Sequence, residues 1–220
     1  MQASRRQFNR AVIWDFGGVI STSPFEAFNR FETERGLPRD FIRGINAVNP
    51  DTNAWALLEQ SRLDAAGFDA AFAAESRAAG HEVRGADVLA LLSGDLRPRV
   101  VRALEACRAS FKVGCITNNA PVGQGPGMTA DSSRAHAAAR VFALFDHVLE
   151  SSKLGIRKPD PRIYALMCEA LDVEPSACVY LDDLGINLKP ARQMGMTTIK
   201  VTGEDQLLAD LSAATGLAFD

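Results

Sequence analysis

Ala11-Val12-Ile13-Trp14-Asp15-Phe16-Gly17-Gly18-Val19-Ile20 decides how the rest of the chain is read. The run before Asp15 is apolar, carries β-branched Val12 and Ile13, and is too short for a helix. It predicts a buried strand, and the glycine pair predicts the turn that ends it. A carboxylate fixed at that point stands at the carboxyl edge of a parallel sheet, where open α/β folds place their ligands. Asp15 can serve there as a nucleophile, a metal ligand, or both.

Working outward, Ser21-Thr22-Ser23-Pro24 breaks the pattern, and residues 25–93 then read as helical segments without a strand signal. Phe25, Phe28 and Phe31 open one amphipathic stretch; Asn49-Pro50-Asp51-Thr52 opens another, which carries Trp55, Leu57 and Leu58. After residue 93 strands and helices alternate. Pro98 suits the first turn of a helix running to about residue 110, and 112–117 is a strand ending at Asn118-Asn119. A helix over 131–142, a strand over 147–150 and a helix opened by Asp160-Pro161 and ending near 172 follow. A strand over 177–181 terminates in Asp182-Asp183, and a strand over 197–201 and a helix over 205–214 close the series. The predicted class is α/β, with a Rossmann-like parallel sheet. Residues 1–22 and 94–220 form the core, and 23–93 form a small helical insertion.

Charge and composition exclude several classes of partner. The 220 residues carry a formal net charge of -3, so no nucleic-acid or anionic-membrane surface is expected. No stretch approaches the roughly 20 apolar residues that span a bilayer. Met1 to Arg10 contains Arg5, Arg6 and Arg10 but no apolar run, which predicts a solvated tail rather than a secretory signal. Cys107, Cys115, Cys168 and Cys178 form no CxxC pair and predict free buried thiols in a reducing, cytoplasmic setting. His81, His136 and His147 form no recognisable pattern, and no G-x-S-x-G elbow supports a serine triad.

Four polar clusters fall at strand ends or just beyond them: Asp15, Thr117-Asn118, Lys158 and Asp182-Asp183. A parallel sheet brings its carboxyl ends to one edge, so all four can converge. Singly, Thr117-Asn118 reads as a turn or helix cap, and Lys158 as a solvated loop lysine. Asp182-Asp183 resists so plain a reading, because adjacent acids repel one another and a bound cation relieves them. Together the clusters point to a hard divalent ion, Mg²⁺, and an anionic substrate.

The order D-F-G-G-V, I-T-N-N, K-P-D-P and L-D-D-L-G-I-N resembles the haloacid dehalogenase (HAD) superfamily of hydrolases. More narrowly, residues 151–201 are similar to the phosphatase-type N-terminal domain of soluble epoxide hydrolases, with Lys158 to Tyr164 and Leu181 to Arg192 carrying most of the likeness. The resemblance implies a HAD-like core with the helical insertion in the place of that family's small cap. Nothing matching the epoxide-hydrolysing domain is expected within these residues. By position, Asp15 would attack phosphorus and form an aspartyl-phosphate. Asp15, Asp183 and the Gly17 carbonyl would bind Mg²⁺, Asp182 would hold the metal or its waters, and Asn187 would support the site. Thr117 and Asn118 would bind phosphoryl oxygens, and Lys158 would neutralise charge on nucleophile and phosphoryl group.

The resemblance has one departure. Position 17 usually holds an aspartate that serves as general acid and then general base, and here it is glycine. The expected activity is a Mg²⁺-dependent phosphatase or phosphotransferase acting on a small phosphorylated metabolite, as monomer or homodimer. Two alternatives stand beside it. Dehalogenases also lack the acid, although Asp182-Asp183 is less like those metal-free enzymes; a catalytically weak domain could instead bind a phosphorylated ligand or protein. The loop 121–128 has no Gly-Lys-Ser/Thr and is not a P-loop. It either borders the substrate entrance or simply connects elements. Phe25, Phe28 and Trp55 either line a pocket or form apolar core.

Overall fold

The structure is a computed structural model that describes residues 10–120, 123, 128 and 131–219. The expected N-terminal tail and most of the loop 121–128 lie outside the described residues. Five strands, β1 (Ala11–Trp14), β2 (Lys112–Thr117), β3 (His147–Glu150), β4 (Cys178–Asp182) and β5 (Thr197–Lys200), form one sheet in the order β3-β2-β1-β4-β5. Every pairing is parallel. β1 lies at the centre, and all four of its residues are fully buried. A parallel strand covered on both faces has no wet side, which is why its sequence shows no polar alternation.

Alternate residues of β1 face opposite layers. Val12 and Trp14 join a cluster with Val100 and Leu104 of α6 (Pro98–Arg108), Val141 of α7 (Ser132–Phe142) and Leu207 of α11 (Glu204–Thr215). Ala11 and Ile13 join Ile163 and Met167 of α9 (Pro161–Leu171) and Leu188 of α10 (Gly185–Gln193) on the other face. The start of α9 is written locally. The Asp160 side chain accepts from the Arg162 amide, and Pro161 occupies the first turn, where no amide donor is needed.

Between β1 and β2 run α1 (Pro24–Arg35), α2 (Phe41–Ala47), α3 (Ala54–Glu59), α4 (Ala65–Ala78) and α5 (Gly85–Ala90). They share an apolar cluster of their own, built on Phe28, Ile42, Leu58, Phe68, Phe72 and Val88. The chain leaves the sheet layer at Ser21 and rejoins it at Leu96, and these two residues pair as an antiparallel bridge. Two elements were not foreseen from the sequence. The short α8 (Ser151–Leu154) is only 4 residues long, below any readable period. The other, α10, contains Pro190 and begins at Gly185, the two residue types least suited to a helix.

Candidate active site

The parallel register sets the site. Trp14 is level with Cys115 on β2 and Leu181 on β4, so Asp15 emerges beside the ends of both neighbouring strands. Its amide donates to the Leu181 carbonyl at 2.9 Å, and its Oδ1 accepts from the Phe16 amide at 2.7 Å. The turn Phe16–Ile20 follows, and its two glycines differ in kind. Gly18 has φ +77°, and a Cβ there would come within 2.2 Å of Asp183 Oδ2. Gly17 has φ -69°, and a Cβ there would meet nothing within 4 Å. Position 18 therefore requires glycine by geometry, whereas position 17 has room for a larger side chain.

Lys158 is buried at 1% exposure, with Nζ 2.8 Å from Asp15 Oδ1 and 2.9 Å from Asp182 Oδ2. The solvated-lysine reading of its sequence context is overturned, because the chain folds it between two carboxylates. Asn118 holds it there. Its Nδ2 donates to the Lys158 carbonyl at 3.0 Å, and its Oδ1 accepts from the Lys158 amide at 2.9 Å. The Asn118 amide is thus committed to Lys158. Thr117, at the end of β2, is buried and lines the same cavity as Asp15.

Asp182 and Asp183 are adjacent but differently placed. Asp182 is fully buried, and both its oxygens are met by protein donors: Lys158, the Leu184 amide, Asn187 Nδ2 and the Tyr180 hydroxyl. Asn187 is fixed in turn by its carbonyl, which accepts from the Tyr164 hydroxyl at 2.7 Å. Asp183 is engaged more lightly, by a long 3.4 Å bond from the Ser23 hydroxyl at the start of the helical insertion. Asp183 is therefore freer than Asp182 to take a new partner.

Asp15, Asp182 and Asp183 each offer an oxygen, and these oxygens lie within 4.8 Å of one another. Burial drives the Asp15 carboxyl well above its ordinary pKa; Lys158 opposes this, and Asp182 and Asp183 add to it. Burial, then the charge of Asp182, pushes Asp183 up to about 6. For Lys158 burial alone would lower the pKa, but Asp15 and Asp182 more than reverse it, so the ammonium stays charged. Three carboxylates thus face one cation. An all-oxygen set of this kind suits a hard divalent ion, which would relieve the repulsion that remains.

Above this floor lies a cavity of about 1160 Å³, somewhat larger than the ~300–1,000 Å³ usual for ligand pockets. Gly17, Phe25, Phe28 and Trp55 line it, and the three aromatic residues also belong to the insertion's apolar cluster. They line a cavity and pack into apolar core at once. Met128, from the loop after Ala120, reaches the same wall. Sequence reading missed Tyr180 and the pair Asn119–Ser151, whose groups tie the ends of β2 and β3 together. Strand alternation was the available signal for Tyr180, since it puts Tyr180 on the same face as Asp182. The four cysteines are free and buried, as expected.

A five-stranded parallel sheet with a carboxylate just past the end of its central strand, an inserted helical layer and this constellation of acids and lysine describes a class of hydrolases. The chain belongs to the haloacid dehalogenase-like hydrolase family, which it matches over residues 9–195. It is 30% identical over 221 residues to the mouse (Mus musculus) bifunctional epoxide hydrolase 2, covering 96% of this chain and 39% of that protein. It is 34% identical over 133 residues to phosphatase MT3486 of Mycobacterium tuberculosis, covering 58% of this chain and 57% of that one. The chain thus spans less than two thirds of the length of both relatives. Among solved structures, HAD family enzyme BT-2542 of Bacteroides thetaiotaomicron, in complex with magnesium and inorganic phosphate, superposes with a TM-score of 0.59 at 17% identity. That match covers 90% of this chain and 96% of BT-2542, and it shows the fold. None of the helices among the described residues is long and apolar enough to cross a membrane.

Proposed function

We propose that this protein is a Mg²⁺-dependent phosphatase or phosphotransferase that acts on a small phosphorylated metabolite through an aspartyl-phosphate at Asp15. The observation that carries the reading is Lys158, whose ammonium bridges Asp15 and Asp182 inside a site where three carboxylates converge. Nucleophile, counter-charge and metal-binding oxygens then share one sheet edge, which is what phosphoryl transfer requires of a protein. The names of two relatives, a phosphatase and a fold neighbour holding magnesium and phosphate, point the same way.

In this reading the Asp15 carboxylate attacks phosphorus, and the bond from phosphorus to the leaving oxygen breaks. Asp15, Asp183 and the Gly17 carbonyl would hold Mg²⁺, which supplies positive charge where carboxylate and phosphate meet. Asp182 keeps Lys158 aimed at the reacting centre, and Asn187 keeps Asp182 in place. Thr117 and Asn118 border the phosphoryl oxygens, with Asn118 acting mainly through its grip on Lys158. Residues 23–93 act as the cap over the core. Because position 17 offers no proton, aryl, acyl or anomeric phosphates, which expel more stable anions, are the favoured substrates.

Turnover of an aryl phosphate by wild type and Asp15→Asn, with and without Mg²⁺, tests the assignment. Wild type should need the metal, and the variant should fall to background with unchanged circular dichroism, because an amide keeps the size but not the nucleophile. Retained turnover in Asp15→Asn would move the chemistry elsewhere, and metal-free turnover of a 2-haloacid would mark the protein as a dehalogenase.

A further inference from the structure

The helical insertion joins the core through more than the two chain crossings at Ser21 and Leu96. At the end of α3, Glu59 is buried and lies 2.7 Å from Nε of Arg157, which follows α8 in the core. The approach is an ion pair without hydrogen-bond alignment, since neither Glu59 Oε2 nor Arg157 Nε has a hydrogen-bonding partner. Arg157 Nη1 donates to the Pro50 carbonyl at 2.9 Å, and the Ser61 hydroxyl donates to the Ser152 carbonyl. Burial pushes the Glu59 carboxyl up, while Arg157 first, then a bond from Trp55 and the charge of Lys158, pull it down; the net shift is upward. Glu59, Arg157 and Asp15 all line the large cavity.

Arg157 is also the residue directly before Lys158. The backbone of Lys158 therefore has two anchors. Asn118 grips it from the core, and Arg157, one residue away, is gripped by Glu59 and Pro50 from the insertion. Its ammonium must reach two carboxylates at once, 2.8 and 2.9 Å away, so a small backbone shift breaks one contact. We propose that Arg157 and Glu59 are positioning residues, which make the placement of Lys158 depend on the docked position of the helical insertion. This rests on the reading of Lys158 as part of the reacting centre. The arrangement ties full assembly of the site to the contacts that dock the insertion on the core.

A cycle of Glu59→Gln, Arg157→Gln and the double variant tests the proposal. Glu59→Gln keeps the side-chain volume and leaves the half-buried Arg157 unpaired, whereas Arg157→Gln shortens the side chain and strands the buried Glu59 charge. A misplacement of about 1 Å near reacting groups can cost ~100-fold in rate. Each single variant should therefore lower kcat on 4-nitrophenyl phosphate with Mg²⁺ by on the order of tenfold, with KM changing far less. The double variant should lose no more than the worse single one, because the two residues act as a unit. Hydrogen exchange of the intact protein should quicken in 54–61 and in 151–158 together, with β4 unaffected. Should Arg157→Gln not fold, Arg157→Lys, which retains the charge but shortens the reach to Pro50, is measured the same way. Unchanged kcat in both single variants, with faster exchange confined to 54–61, would overturn the proposal. An inactive wild type would instead defeat the phosphatase reading, and the exchange data would still decide whether the two segments are coupled.

Discussion

Lys158 keeps a full positive charge in a place almost without water, and the two carboxylates beside it make that possible. Its removal leaves Asp15 and Asp182 buried and facing each other. Stranding a buried charge costs ~3–5 kcal/mol, more than a surface pair contributes. Lys158→Met is therefore expected to lower stability by about that amount in urea denaturation and to abolish turnover. The neighbouring glycines give opposite expectations. Gly18→Ala puts a Cβ onto Asp183 in a left-handed turn, and should cost at least about 1–3 kcal/mol and weaken magnesium binding in calorimetric titration. Gly17→Asp meets open space, so its melting temperature should barely move. It should raise turnover of alkyl phosphates towards the ~10²–10⁴-fold that a positioned acid contributes, and aryl phosphates much less. Rapid-quench kinetics on matched substrates measure this, and equal wild-type rates on both would mean that another group donates the proton.

At the scale of elements, β4 does more than end in two acids. Its alternation aims Tyr180 and Asp182 at the same layer, where the tyrosine hydroxyl joins Lys158, Asn187 and the Leu184 amide around one carboxylate. Tyr180→Phe should cost ~1–3 kcal/mol, because it leaves a buried acceptor short of a donor. Chemical denaturation beside Tyr164→Phe, which removes the bond to the Asn187 carbonyl instead, separates the two hydroxyls. Much of this architecture was legible in the chain. The strand ending in Asp15, the helical stretch before Gly94 and the convergence of Asp15, Thr117, Lys158 and Asp183 all follow from period and from parallel connectivity. What escaped reading depends on contacts between distant segments. Nothing around Lys158 in sequence reveals its burial, which comes from residues 143 positions before it and 24 after it. Tyr180 looked like one more apolar strand residue, and Glu59 like the polar end of a short helix. Their meaning lies in partners from other elements.

For the whole molecule, the raised acids give stability an unusual dependence on pH. Asp183 titrates at about 6 in the folded protein against 3.8 ordinarily, so the native state takes up its proton first as pH falls. Without metal this group destabilises the fold above pH 6 and does so progressively less down to about pH 4, by on the order of 1–3 kcal/mol in all. Asp183→Asn lacks the effect, so metal-free wild type should gain stability relative to the variant between pH 7 and 5 in thermal scans. If the proposed site binds magnesium, the ion should reverse the picture, since it favours the ionised carboxylates, and its stabilising effect should fade as pH drops through 6. A wild type that loses ground against Asp183→Asn over that range would contradict the burial of this acid.

The bridge between Ser21 and Leu96 has a further consequence, for descent rather than for chemistry. Because the chain leaves and returns at neighbouring residues, the stretch between them closes through a contact that the sheet layer already makes. Doubling such a stretch adds only ~0.6 kcal/mol of closure entropy. The segment above the cavity can thus be lengthened, trimmed or exchanged while the strands that carry Asp15, Thr117 and Asp182 stay intact. Mutation can explore new shapes over Asp15 wherever the contacts of Glu59 and Pro50 with Arg157 are kept.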